Sequence, residues 1–231
     1  MQLALNELER RVLGVLLEKS LAQPSYYPMT LNAIVAACNQ KSNRDPVMRL
    51  DEDRVWNTLD ALRERGLVAR IMAGMSGRVD RFKHEVKDRL GWDKPRRAVM
   101  AELLLRGPQT VGELRTRGSR MYPFENVDSV NAVLESLSQL DPPAVRQLPR
   151  MPGKAAIRYA HELYLAGEQA WASATETAAL PDNTYDSTPV AGLPTSTQVI
   201  QQVDQLHGEV AELRQVLTEL AQRITALENR D

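Results

Sequence analysis

The side chains best suited to gripping another macromolecule gather between residues 39 and 57. The run Asn39-Gln40-Lys41-Ser42-Asn43-Arg44 concentrates amides, a hydroxyl and two cations. Lys41 and Arg44, with Asn39 and Asn43, would form an exposed recognition surface able to hold phosphates. A little further on, Arg54 suits guanine and Asn57 suits adenine. The same residue types also serve turns by bonding to their own backbone, which is the expectation for Asn39 and Ser42. Asp45 could pair with Arg44 or Arg49 and quench the patch.

A helix must carry Arg54 and Asn57. The sequence predicts it from Asp51 to Arg65, stopped by Gly66, with Val55, Leu59 and Leu62 turned inward. Its opposite face centres on Asp53, Asn57, Asp60, Ala61 and Glu64. Asp51-Glu52-Asp53 suit the positive end of the helix dipole, but stand where a phosphate or base edge would sit and repel a duplex.

Two helices precede it. Asn6 with Glu9 reads as a capping box opening the first, through Leu8, Val12, Val15 and Leu16. Thr30 caps a short second helix, Leu31 to about Cys38. Extended runs follow at Leu67–Ala73 and Arg78–Val86, split by Gly74-Met75-Ser76-Gly77, a hairpin signal.

The same order then recurs. Asp93-Lys94-Pro95 opens a helix ended by Gly107-Pro108, and Thr110 with Glu113 caps a short one. A third runs from about Phe124 to Leu140 with Val127, Val130, Leu134 and Leu137 on one side, and extended runs lie at Val145–Arg150 and Ala156–Leu163. Thr30-Leu31 and Ile34 superpose on Thr110-Val111 and Leu114 at an offset of 80. Val55, Leu59 and Leu62 superpose on Val130, Leu134 and Leu137 at an offset of 75. The first copy therefore has the longer loop, within Asn39–Arg49. Two helix-helix-helix-hairpin units predict a mainly α fold with small β-hairpins (α+β): tandem winged-helix domains at 1–88 and 89–166.

Further cations sit on the hairpins and turns. The first hairpin holds Arg70, Arg78, Arg81 and Lys83; the second holds Arg146, Arg150, Lys154 and Arg158. Arg115, Arg117 and Arg120 precede the second copy's third helix, which itself has neither Lys nor Arg. Such wings can grip phosphates without reading sequence, or can be edge-strand charges that prevent aggregation.

Residues 167–197 read as a flexible linker rich in Ala, Ser, Thr and Pro. Beyond it lies a heptad seam over 198–231: Val203, Val210, Leu217 and Ile224 at a, with Leu206, Leu213, Leu220 and Leu227 at d. These predict a parallel two-stranded coiled coil and a homodimer, with attractive Glu209–Arg214 and Arg223–Glu228 pairs across strands. A long helix folding back on its own domain is the alternative.

Charge is unevenly spread. Residues 1–165 hold 26 Lys+Arg against 20 Asp+Glu, and residues 166–231 hold 3 against 10, within a net charge of -1. One cysteine rules out an intrachain disulfide, and three histidines far apart suggest no metal site. No catalytic nucleophile-base pair, Gly-rich phosphate loop or cofactor motif is legible, so a non-enzymatic protein is expected. Cys38 reads as a buried, inert thiol. No apolar run approaches a membrane span and no leader is evident, which points to the cytoplasm.

The run Asn32-Ala33…Cys38-Asn39-Gln40-Lys41-Ser42-Asn43-Arg44-Asp45-Pro46-Val47, with Leu103…Arg106-Gly107-Pro108-Gln109-Thr110…Gly112-Glu113-Leu114-Arg115-Thr116-Arg117, resembles the YceH-like family of bacterial proteins. The resemblance covers roughly 160 residues and implies tandem winged helices of uncharacterised function. It implies no catalytic reaction and no binding residues. Two functions follow as expectations: a dimeric DNA-associated regulator, favoured by the basic body, or a protein-interaction module that binds no DNA, favoured by the acidic helix faces.

Overall fold

The computed structural model describes residues 3–74, 79–150 and 156–168. The wing tips holding Arg78 and Lys154, the rest of the linker and the heptad segment with its eight a and d residues lie outside them. The described residues belong to one compact unit.

The first repeat runs α1 (Glu7–Ala22), a 3₁₀ turn (Pro24–Tyr26), β1 (Met29–Thr30), α2 (Leu31–Cys38), α3 (Glu52–Glu64), β2 (Val68–Ile71) and β3 (Arg81–His84). A short helix the sequence reading missed, α4 (Val86–Leu90), leads into the second repeat. That repeat runs α5 (Lys94–Arg106), β4 (Gln109–Thr110), α6 (Val111–Gly118), α7 (Val127–Ser138), β5 (Val145–Gln147) and β6 (Arg158–His161). The result is a mixed α/β, winged-helix-like arrangement with seven α-helices among the described residues. The sheets have three strands, not two: β1-β3-β2 and β4-β6-β5, all antiparallel. A two-residue strand has too little alternation to be read in advance.

Local signals set the boundaries. Asn6 and Glu9 form the capping box of α1, Asp93 caps α5, and Thr110 with Glu113 boxes α6. After α3 the chain turns through Gly66 at φ +68°, while Leu67 N–H donates to Leu62 O at 2.9 Å. That pattern is a Schellman stop, which needs a left-handed residue. The helix expected from Phe124 begins instead at Val127, because Asn126 takes the cap and bonds Ser129 N–H. Phe124 is buried ahead of it, and Val127, expected inward, is exposed.

α1 and α5 pack against each other and join both repeats into one core. Each helix is buried almost all round, which an amphipathic stripe does not anticipate. Gly14 permits the approach, since a Cβ there would stand 2.9 Å from Leu105 Cγ. The repeats also exchange backbone bonds: Leu5 N–H to Leu163 O at 2.9 Å and Asp45 N–H to Leu105 O at 2.8 Å.

Candidate interaction site

Structure separates the cations that sequence grouped together. Arg44, expected to face outward, is buried; its Nη2 lies 2.6 Å from Glu18 Oε2, and Nε donates to Ala37 O at 3.0 Å. Its partner is therefore Glu18 on α1, not Asp45, which is exposed. The correction has a physical reason. Glu18 follows Val15-Leu16-Leu17 inside the core, and a buried carboxylate requires a cation. Burial alone would raise the Glu18 pKa, yet Arg44, then Arg120 and Lys19, hold it below the ordinary glutamate value.

A matching pair exists in the second repeat. Arg120, in the loop after α6, reaches Glu102 Oε1 on α5 at 2.8 Å and crosses to Glu18 Oε1 at 2.5 Å. Arg106 Nε lies 3.3 Å from Glu102 Oε2, and Arg106 Nη2 donates to Asn43 Oδ1. Sequence reasoning missed Glu18 and Glu102. A carboxylate inside an unbroken apolar run, as in Val99-Met100-Ala101-Glu102-Leu103-Leu104-Leu105, was the available signal.

Other residues of the polar loop divide. Asn39 bonds its own chain, with Nδ2 donating to Leu50 O and Oδ1 accepting from Leu50 N–H, both at 2.7 Å. Ser42 is exposed and makes no such bond. Asn43 sits at φ 60°, where Asn is tolerated. Lys41, Arg54 and Asn57 are exposed.

Most of the described wing and turn cations have intramolecular partners, whereas Arg150 is simply exposed. Arg70 pairs with Asp80 and lies over the Trp56 ring at 4.8 Å; Lys83 lies 2.8 Å from Glu85. Arg81 donates to Pro28 O, Arg115 to Glu125 O, and Arg117 lies 3.1 Å from Glu113. Arg146 lies 2.6 Å from Glu162 and Arg158 donates to Pro108 O. Exposed pairs of this kind are worth little and can exchange for an external anion, but they lower the field a phosphate would meet.

Around α2 the surface is unexpectedly apolar. One groove of about 480 Å³ runs between α2, α3 and the wing, floored by Trp56 and Phe82 and edged by Val79, Glu52 and the Arg70–Asp80 pair. Another of about 510 Å³ lies across α2, lined by Ala33, Ala36, Met29 and Tyr26. Tyr26 at the second groove is 77% exposed, and on the wing Met72 is 68% and Val79 59% exposed.

Two histidines dismissed on spacing occupy equivalent places. His84 pairs across its sheet with Val68, and His161 with Val145. His84 Nε2 is 3.0 Å from Ser20 Oγ, while His161 stacks on Tyr164 at 4.0 Å. Burial, then neighbouring cations, lowers His84 to about 4 and His161 to about 3, so both are neutral core side chains. Cys38 is buried as expected, its thiol pushed up to about 12 by desolvation. Among the described residues no group of three or more His, Cys, Asp or Glu could hold a metal ion. No helix among them is long and apolar enough to cross a membrane.

Residues 5–154 match the family described as "Protein of unknown function, DUF480". A UPF0502 protein of Geobacter sulfurreducens is 52% identical over 168 residues, 73% of this chain and 75% of its own length. A UPF0502 protein of Koribacter versatilis is 48% identical over 163 residues, 71% of this chain and 75% of its own. One from Geotalea uraniireducens is 42% identical over 214 residues, covering 93% of this chain and 92% of its own. The chain belongs to this family, in agreement with the resemblance read from its motifs.

Proposed function

We propose that this DUF480 family member is a non-enzymatic, regulator-like protein of two tandem winged-helix domains, whose first repeat docks on another protein. The observation that carries this reading is the groove beside α3. Trp56 and Phe82 floor it, Glu52 lines it, and Arg70, the cation that also lines it, is already paired with Asp80, which leaves a duplex little positive charge to meet. With Asp51 and Asp53 also at the front of α3, the fitting partner segment combines apolar anchors with Lys or Arg. The heptad segment at 198–231 would double the module through a parallel coil.

Photo-crosslinking from position 79 in cells is expected to trap discrete protein partners that position 139, the C-cap of α7, does not. Met72→Asp with Ala73→Asp, leaving position 79 to the crosslinker, should abolish those adducts while the fold persists. Equal adducts from both positions, or adducts untouched by the charges, would sink the reading.

A second reading is duplex binding. Lys41, Arg54 and Asn57 favour it, being exposed on the loop and helix that would enter a groove. Its discriminating measurement is anisotropy of random duplex DNA at about 50 and about 200 mM salt, where phosphate contacts predict steep weakening. The docking reading expects no saturable binding at the lower salt.

A further inference from the structure

The two grooves that flank α2 differ in charge. The one beside α3 is edged by Glu52, whereas none of the described residues lining the other, of about 510 Å³, is acidic. This second groove crosses α2 toward the end of α1 and β3. Its floor is small and apolar: Met29 and Ala37 are buried, Ala33 and Ala36 offer only methyl groups, and Tyr26 stands open at the rim. Two cations line it, Lys19 from α1 and Arg81 from β3.

Neither cation is neutralised. Arg81 is exposed and its Nη1 donates to a carbonyl, Pro28 O at 2.8 Å; among the described residues no carboxylate lies within ion-pair distance of it. Lys19 has 13% of its side chain in solvent, and Glu18 Oε2 lies 3.9 Å away, beyond hydrogen-bond reach. Glu18 is already held by Arg44 at 2.6 Å and Arg120 at 2.5 Å. Glu102, which shares Arg120, is met by Arg106 at 3.3 Å. Among the described residues four cations of this cluster face two carboxylates, and Lys19 is where the excess charge reaches the groove. Burial lowers the Lys19 pKa; Glu18 raises it, and Arg44 and Arg120 lower it again, so an added carboxylate there is stabilising. Gln40 gives its Oε1 to Arg44 Nη2 at 3.0 Å, leaving its amide nitrogen as a donor on the groove wall.

We propose that this groove docks an acidic segment of another protein, with Asp or Glu on either side of an apolar side chain. The carboxylates pair with Lys19 and Arg81, and the apolar group lies on Met29, Ala33 and Ala36. Charge fit of this kind steers encounter and suppresses wrong partners. The inference goes beyond the docking reading in place and in partner: the groove beside α3 takes a segment with Lys or Arg, this one a segment with Asp or Glu, and neither needs the other.

The test selects peptides from a random display library on the immobilised full chain and measures the enriched peptides by fluorescence anisotropy. Ala33→Glu puts a carboxylate on the groove floor and keeps the fold. Position 33 is exposed, and glutamate there completes a capping box with Thr30, whose side chain already accepts from Ala33 N–H. Peptides rich in Asp and Glu should be enriched, and Ala33→Glu should weaken them at least about tenfold while Ala33→Lys does not. Arg81→Gln should weaken them about tenfold as well, the scale of one lost charge-assisted contact. A selection without acidic peptides, the result if a second copy already fills the groove, would overturn the proposal. So would acidic peptides that bind Ala33→Glu as tightly as the unchanged chain, or that Ala33→Glu and Ala33→Lys weaken equally. Cationic peptides lost with Met72→Asp and Ala73→Asp would then uphold the α3 groove while this one falls.

Discussion

The two repeats share an element order but expose different chemistry. They share landmarks: Thr30 and Thr110 cap the second helices, His84 and His161 hold matching sheet places, and an arginine after each second helix reaches a glutamate on the first. Around α2 of the first repeat, however, Tyr26, Met72 and Val79 are open, and α3 presents acids with Arg54 and Asn57. In the second repeat α7 carries no cation, and its largest exposed apolar side chain is Val127. The two copies share a frame and differ in the apolar and charged surface they expose. The polar loop belongs to the frame, because its most specific-looking cation, Arg44, is the core's counter-charge.

The sharpest way to break that comparison is to remove the equivalent arginines one at a time. Arg44→Met leaves Glu18 with only Arg120 and Lys19, and should destabilise by about 3–5 kcal/mol in urea unfolding. Arg120 has a third of its side chain in solvent, so Arg120→Met should cost clearly less, about 1–3 kcal/mol. Equal costs would mean that burial does not distinguish the copies.

The histidine pair sharpens it from the opposite side, since here the copies should behave alike. Each is neutral when folded and titrates near pH 6.5 when unfolded. Between pH 6.5 and the folded values of about 4 and about 3, the unfolded chain binds more protons, so stability falls as pH falls. Each should cost about 2 kcal/mol on going from pH 7.5 to pH 5, and His84→Gln should remove about half of the slope. Glu18 adds its own loss only below about pH 4.5, where the unfolded chain's carboxylate takes up a proton that the folded one, held low by Arg44, still refuses. Thermal unfolding across this range measures both.

Smaller effects probe the seam and the caps. Gly14→Ala would drive a methyl into Leu105, costing about 1–3 kcal/mol. Asn126→Ala removes the α7 cap and should cost about 1 kcal/mol, read by the same unfolding curves. A null effect for Gly14→Ala would show that α1 and α5 can separate.

Capping residues and apolar spacing made most of this fold legible. Asn6, Thr30, Asp93, Thr110 and Gly66 act locally, within a turn, so their roles are visible in a short window of sequence. Strands β1 and β4 were not, because two residues gain strand character only from a partner more than 45 residues away. The burial of Glu18 and Arg44 was hidden for a related reason. Apolar neighbours hinted at burial for Glu18, but its partner Arg44 lies 26 residues away in a polar loop, and nothing near that arginine announces the pairing. The exposure of Arg54 and Asn57 was legible from helix periodicity, whereas the apolar grooves were not; Trp56 and Val79 line one groove only through the hairpin.

The bond from Leu5 N–H to Leu163 O bears on how the molecule is made. A ribosome delivers the first repeat long before the second, yet the strand end that closes over Leu5 is almost the last part of the unit to emerge. Until α5 appears, α1 has nothing to cover one side, and Glu18 lacks Arg120. Nascent chains arrested near residue 90 should therefore remain sensitive to protease, and protection should arrive only once residue 163 has cleared the exit tunnel.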